Sequence, residues 1–393
     1  MYASRVLFRS AGLVGLPNVG KSTLFNALVR AQLAQASNFP FTTIKPNIAD
    51  AYIVDRQLEE VAKIAGSVKT IPWSVSIKDI AGLIEGASKG AGLGNAFLAD
   101  IRESSAIIQV VRCFDDPGVI HVNNAPNPSR DISIIESELI LSDLQSLERL
   151  KQRKKPSLER EAELHSDWAD KLIPLLEAGF PARVLEHTVH ARDVLSWQKL
   201  NLLTQKPTLF VGNVGESDMK RGGNALTEEV TEVLKDRVKE YTSAVPGFEG
   251  NSSKNQTGFF PVCAKVEAEL VLLEDERERQ SYLEEYGLKK SGLEVLLSAT
   301  SDILGLHAYY TSGPQETRAW AIPRGATLPM AAGAIHSDME RGFISGDVIS
   351  ANDFLQAGGE KPAKALGKVR NEGKEYIVRQ GDICLFKFKA PTK

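Results

Sequence analysis

The sequence predicts an α/β fold built on a phosphate-binding loop, interrupted by a helical arm and followed by a small β-rich module. Three observations predict it. An apolar strand runs straight into Gly15-Leu-Pro-Asn-Val-Gly-Lys-Ser22, a complete GxxxxGK[ST], and a helix-patterned Ser-Thr-Leu-Phe-Asn-Ala-Leu-Val follows. An alternating run, 73–80, ends in Asp79-Ile-Ala-Gly82, as a strand delivering an aspartate to that loop would. Helical periodicity then fills the chain between the strand pattern ending near Arg112 and the next one at Pro207. At 393 residues the chain exceeds the roughly 250 to 300 that one core supports, so several units are expected. We divide it into a nucleotide domain in two parts, 1–130 and 201–303, a helical insertion, 131–200, and a C-terminal module, 304–393.

The loop comes first. Its glycines let successive backbone N–H groups turn toward phosphate oxygens, and the helix N-terminus behind them adds the positive end of its dipole. Asn18, Val19, Gly20, Lys21, Ser22 and Thr23 are therefore candidate nucleotide-binding residues. Lys21 is the candidate catalytic cation that bridges the β- and γ-phosphates, and Ser22 is a candidate Mg²⁺ ligand through its hydroxyl.

Next is Phe39-Pro-Phe-Thr-Thr-Ile-Lys-Pro-Asn47, a proline-bounded loop where a switch threonine would be needed as a second Mg²⁺ ligand. Thr43 is the choice; hydroxyls that merely stabilise a turn are the alternative. Asp79 is expected to hold Mg²⁺ through water, and the Gly82 N–H to contact the γ-phosphate, so that the following loop senses hydrolysis. Many nucleotide hydrolases place a water-orienting glutamine after DxxG, but here stands Leu83. Leucine can neither donate nor accept, so intrinsic turnover should be slow. Glycines at 86, 90, 92 and 94 predict a mobile loop beyond it.

The strand 106–111 leads to Phe114-Asp-Asp-Pro-Gly-Val-Ile-His-Val. His121 is a chemical candidate for the attacking water, because imidazole titrates near neutrality. On chemistry alone a structural histidine is the simpler reading. Apolar residues at helical spacing over 131–150, then again over 158–176 beyond Pro156, predict an antiparallel helical arm. Its tip would carry Arg149, Lys151, Arg153, Lys154 and Lys155, a cluster suited to RNA phosphates or to a merely solvated face.

Base recognition falls to the strand that begins at Pro207 and ends in Asn213-Val-Gly-Glu216. In the Asn-Lys-x-Asp pattern of GTPases the aspartate accepts protons from guanine. Here Val214 replaces the lysine and Glu216 the aspartate, so guanine selection should relax or reverse toward adenine. The strand 259–262 then delivers Cys263-Ala-Lys265, whose backbone N–H groups would meet the base edge. Asn213, Val214, Cys263, Ala264 and Lys265 complete the candidate nucleotide site.

Together these residues resemble the Obg-like ATPase or YchF family, a branch of the translation-factor class of P-loop GTPases. The matching segments are Gly15 to Thr23, Asp79-Ile-Ala-Gly-Leu83, Gly90-Ala-Gly-Leu-Gly-Asn95, Val110-Val-Arg-Cys-Phe114, Asn213-Val-Gly-Glu216 and Cys263-Ala-Lys-Val-Glu-Ala-Glu269, and they span almost the whole chain. The resemblance implies an ATP-preferring hydrolase with GTP as a weaker substrate, Asn213 and nearby backbone reading adenine, and His121 assisting catalysis. Lys45 departs from it, standing where similar sequences often carry an acid. The resemblance also makes the C-terminal module a β-grasp (TGS) domain, through Ala319-Trp-Ala-Ile-Pro323, Ala332-Gly-Ala-Ile-His336 and Gly381-Asp-Ile383. Short strand-like runs at 318–322, 374–378 and 384–388 agree with it.

Composition excludes other classes. Forty-seven Lys and Arg against 50 Asp and Glu leave a net charge of −3, so any nucleic-acid affinity must be local. From Lys361 onward nine basic residues face three acidic ones, a local +6 that favours ribosomal RNA or a ribosome surface as partner. Nothing reads as a membrane span, and Cys113, Cys263 and Cys384 are too far apart for a zinc motif. A cytoplasmic monomer is expected. Arg5 and Arg9, with no acid before Asp50, leave a mitochondrial or plastid transit peptide as the alternative. The reading is an ATP-driven switch at the ribosome, in translation or stress response. A nucleotide-dependent RNA-binding module with negligible hydrolysis and an Obg-type GTPase are the alternatives.

Overall fold

The computed structural model describes residues 9–36, 47–82, 93–119, 125–152, 159–248 and 258–389. Two six-stranded sheets organise them. In chain order the first part supplies β1 (Ser10–Val14), α1 (Lys21–Ala36), β2 (Ile48–Tyr52), α2 (Arg56–Ala65), β3 (Lys69–Ile71), β4 (Ser74–Asp79), α3 (Leu93–Glu103) and β5 (Ala106–Cys113). The insertion is α4 (Pro128–Gln152), α5 (Glu159–Glu177), two 3₁₀ turns and α6 (Val194–Leu200). Then come β6 (Thr208–Val214), α7 (Glu216–Arg221), α8 (Ala225–Ala244), β7 (Phe259–Val262), α9 (Ala264–Leu270), α10 (Glu276–Glu285) and α11 (Gly292–Ile303).

The first sheet runs β2-β4-β1-β5-β6-β7, parallel except where β2 meets β4. Every residue of β5 and β6 is buried, which is why both read as near-continuous apolar runs: helices cover both faces of a parallel sheet. Leu13, Ile77, Ile108 and Val211 form its centre. The loop after β1 thus emerges between β4 and β5, at the carboxyl edge where ligands of such sheets sit.

The arm is the expected pair of long helices. Ile140 and Leu147 of α4 pack with Trp168, Ala169, Leu172 and Leu176 of α5. Trp197 closes the base, its ring 4.9 Å from that of Trp168, edge to face. Asp143 on α4 is fully buried and accepts from Leu203 N and Thr204 N, each at 2.8 Å, and from the Thr204 hydroxyl at 2.7 Å. Those bonds tie the arm to the strand that re-enters the sheet. Burial raises the Asp143 pKa while the same hydrogen bonds pull it down. At the tip Lys151 pairs with Asp170 at 2.5 Å; Arg153, Lys154 and Lys155 lie outside the described residues.

The C-terminal part is β8 (Leu306–Thr311), β9 (Glu316–Pro323), α12 (Leu328–Ile335), α13 (Ser337–Arg341), β10 (Phe343–Ser350), α14 (Ala351–Ala357), α15 (Glu360–Ala365), β11 (Arg370–Glu372) and β12 (Asp382–Phe388). Two antiparallel pairs, β8/β9 and β10/β12, join through the parallel contact of β12 with β8, and α12 lies across one face. This is the expected β-grasp. It carries more helix than the sequence reading allowed. The run 374–378, read as a strand, is a turn with a single bridge from Ile377 to Thr327. Part of the basic C-terminal charge is paired: Lys387 with Asp347 at 2.7 Å, Lys368 with Asp353 at 3.1 Å and Arg370 with Glu372 at 3.5 Å.

The division at residue 304 needs one correction. β3, drawn from the nucleotide domain, is the edge strand of the C-terminal sheet and pairs in parallel with β9. Ser67 reinforces the junction by donating to Gly313 O at 2.8 Å, and Tyr310 donates to Asp55, the N-cap of α2, at 2.7 Å. Leu58 of α2 and Phe354 of α14 share one apolar core with Tyr310 and Ile383. The two units are therefore continuous through α2 and β3.

Candidate nucleotide site

The loop from Gly15 to Gly20 connects β1 to α1 with two left-handed residues, Asn18 (φ 62°) and Gly20 (φ 94°). Left-handed backbone suits asparagine and glycine, and at Gly20 the absence of a side chain is also a steric demand. A Cβ there would lie 2.0 Å from Asn213 Nδ2. A Cβ at Gly15 would lie 2.9 Å from Val110 O.

Lys21 begins α1, is buried, and bonds through its ammonium to the carboxylate of Asp79. The structure thus brings together the loop lysine and the DxxG aspartate. Asp79 arrives there because β4 pairs in register with β1, Leu13 opposite Asp79, and because its N–H donates to Asn47 O at 2.9 Å. Gly82 lies against the loop, its Cβ direction 3.7 Å from Gly15 O and Pro17 N. Ser22 and Thr23 are exposed on the first turn of α1. A hydroxyl and a carboxylate beside a phosphate loop are hard oxygen donors, the chemistry Mg²⁺ takes when phosphates complete its shell. The residues present fit that ion. His121, Thr43, Lys45 and Leu83 lie outside the described residues, as do Gly86, Gly90 and Gly92, whereas Gly94 falls within the first turn of α3.

Asn213, at the end of β6, has a role that spacing alone does not show. Its side chain is buried, with Nδ2 donating to Val19 O at 2.9 Å and Oδ1 accepting from Ala264 N at 3.0 Å. The expected adenine-reading amide is thus engaged in bracing the phosphate loop against the loop after β7. Val214, Cys263 and Ala264 are buried beside it. Cys263 precedes α9, and burial pushes its thiol pKa up; Cys113 is pushed up to about 12 by the same cause. All three cysteines are free and buried, in keeping with structural thiols. Lys265 is exposed and pairs with Glu216 at 2.5 Å.

Two functional supports were missed by sequence reasoning. Arg112 is fully buried and donates to three carbonyls of the loop after β5: Phe114 at 3.1 Å, Val119 at 2.9 Å and Asp116 at 3.3 Å. It also stacks over the Phe114 ring at 4.4 Å. An arginine inside an apolar strand pattern was the available signal, since a buried guanidinium needs acceptors. Glu267 on α9 is buried and accepts from Gly292 N at 2.6 Å and Leu293 N at 3.3 Å, capping α11 from a distance. Burial raises its pKa to about 7.

The comparisons with known proteins bear on this arrangement. A family model described as 50S ribosome-binding GTPase matches residues 10–158, and the YchF-GTPase_C model matches residues 306–389. The ribosome-binding ATPase YchF of Escherichia coli O157:H7 is 42% identical over 380 residues, 96% of this chain and 98% of that one. The chain belongs to the YchF family. The Bacillus subtilis strain 168 ribosome-binding ATPase YchF is 41% identical over 383 residues, 96% of this chain and 99% of its own. The YchF GTPase structure from Schizosaccharomyces pombe superposes with a TM-score of 0.81 at 32% identity, covering 96% of this chain and 97% of that one. Membership of the YchF family accounts for the helical arm and for the C-terminal domain.

Proposed function

We infer that the chain is a Mg²⁺-dependent ATPase that acts at the ribosome as a nucleotide-controlled switch, with GTP as a weaker substrate. The observation that carries this is the convergence of Lys21, Ser22 and Asp79 on one glycine loop, the equipment of nucleoside-triphosphate hydrolysis. Lys21 leaves Asp79 to bind the β- and γ-phosphates. Ser22, Thr43 and Asp79 are the residues that would hold Mg²⁺, which when bound offsets charge on the transferring phosphoryl group. The Gly82 N–H reports the γ-phosphate to the following loop, and His121 orients water in place of the glutamine that Leu83 replaces. Asn213, Val214 and Cys263 to Lys265 form the base pocket, with Asn213 as its brace. The relatives named as ribosome-binding ATPases support the partner, as do the basic arm tip and the C-terminal module. The relatives named as ribosome-binding ATPases favour a cytoplasmic place of action.

Leu83 favours a second reading, a nucleotide-dependent RNA-binding module with negligible turnover. Steady-state hydrolysis with and without ribosomes separates the two. Stimulation by ribosomes supports the switch; tight binding with no turnover in either condition supports the module.

A further inference from the structure

β6 and β7 are parallel neighbours, Asn213 opposite Val262, and each ends at the base pocket. Glu216 begins α7 just after β6, and Lys265 lies in the first turn of α9 just after β7. Their side chains meet across the gap between the two strand ends, Nζ to Oε1 at 2.5 Å. With side-chain exposures of 69% and 39% for Lys265 and Glu216, the pair is open to solvent beside the ends of β6 and β7. The Asn213 amide at the end of β6 is already engaged with Val19 and Ala264. Glu216 occupies the fourth position of Asn213-Val-Gly-Glu216, where the Asn-Lys-x-Asp pattern has its aspartate, and an ammonium holds it.

Guanine presents a ring N–H and an amino group where an acceptor must stand, whereas adenine presents a ring nitrogen that needs none. A glutamate can serve guanine only by giving up its cation. We propose that Lys265, by holding the Glu216 carboxylate in an ion pair, sets the purine preference of the site: it withholds the acceptor that guanine needs and adenine does not. The inference rests on the reading of this pocket as a purine nucleotide site. Exposed pairs couple by about 0.2–1 kcal/mol, so the effect on the ATP-to-GTP affinity ratio is about 1.4- to fivefold.

The test is calorimetric titration of the full chain with non-hydrolysable ATP and GTP analogues in Mg²⁺ buffer, on wild type, Lys265→Met, Lys265→Arg and the Glu216→Gln/Lys265→Met double variant. Lys265→Met should shift the ATP-to-GTP affinity ratio toward GTP by about 1.4- to fivefold. Lys265→Arg, which keeps the pair, should retain the wild-type ratio, and the double variant should lose the gain. An unchanged ratio in Lys265→Met, equal weakening of both nucleotides, or a gain that survives in the double variant overturns the proposal. A wild type that prefers GTP would defeat the ATPase reading, yet the shift from wild type to Lys265→Met would still decide the role of Lys265.

Discussion

Asn213 holds Val19 in place: its amide nitrogen donates to the Val19 carbonyl at 2.9 Å, across 194 positions of sequence, while its oxygen receives the Ala264 N–H. The phosphate loop and the loop after β7 are thereby tied together through one side chain. Asn213→Ala should weaken ATP and GTP analogues together, by about 30-fold or more, because a buried carbonyl and a buried N–H lose their partners at about 1–3 kcal/mol each. Titration with both analogues checks this. Loss confined to ATP would return Asn213 to a base-reading role.

Gly20 is the same contact seen from the loop. With φ at 94° and Asn213 Nδ2 2.0 Å from where a Cβ would stand, Gly20→Ala must displace either the phosphate loop or the Asn213 amide that braces it. Nucleotide binding should fall below detection, with stability lowered by about 1–3 kcal/mol. Denaturant unfolding and titration read the two effects separately, and wild-type affinity in the variant would contradict the geometry.

Tyr310 and Asp55 join the β-grasp sheet to α2 by a 2.7 Å hydrogen bond. Tyr310→Phe should cost about 1–2 kcal/mol. Amide hydrogen exchange should quicken in α2 and β3 as well as in β8 and β9. Faster exchange confined to β8 and β9 would mean that the two units open independently.

Glu267 gives the fold a pH dependence. Its folded pKa of about 7 lies above the ordinary 4.5, so its contribution to stability is fully present below about pH 4.5 and is lost as pH rises through 7. The change amounts to about 3 kcal/mol at most. Glu267→Gln should flatten the stability profile between about pH 5 and 8. Urea midpoints measured across that range in wild type and variant decide it, and parallel profiles would remove Glu267 as the cause.

Much of this was legible in the residues. The phosphate loop, the DxxG strand and the strand before Asn213 are marked by apolar runs that end in chemistry, and such runs survive folding because the sheet buries both faces. The arm was legible through helical spacing over many turns. β3 was not: Lys69-Thr-Ile71 is too short for a period, and its pairing with β9 depends on packing that local pattern does not encode. The run 374–378 misled for the opposite reason, since Tyr376, Ile377 and Val378 have strand composition yet lie in a turn. The sequence pointed to Asn213 as a candidate site residue, but spacing says nothing about where an amide points, and the structure directs it to Val19 and Ala264.

The most direct test of the central claim is calorimetric titration of nucleotide-free protein with non-hydrolysable ATP and GTP analogues in Mg²⁺ buffer. The expected result is tighter binding of ATP, with both affinities lost in Lys21→Ala. Preference for GTP, or Mg²⁺-independent binding that survives Lys21→Ala, would contradict it.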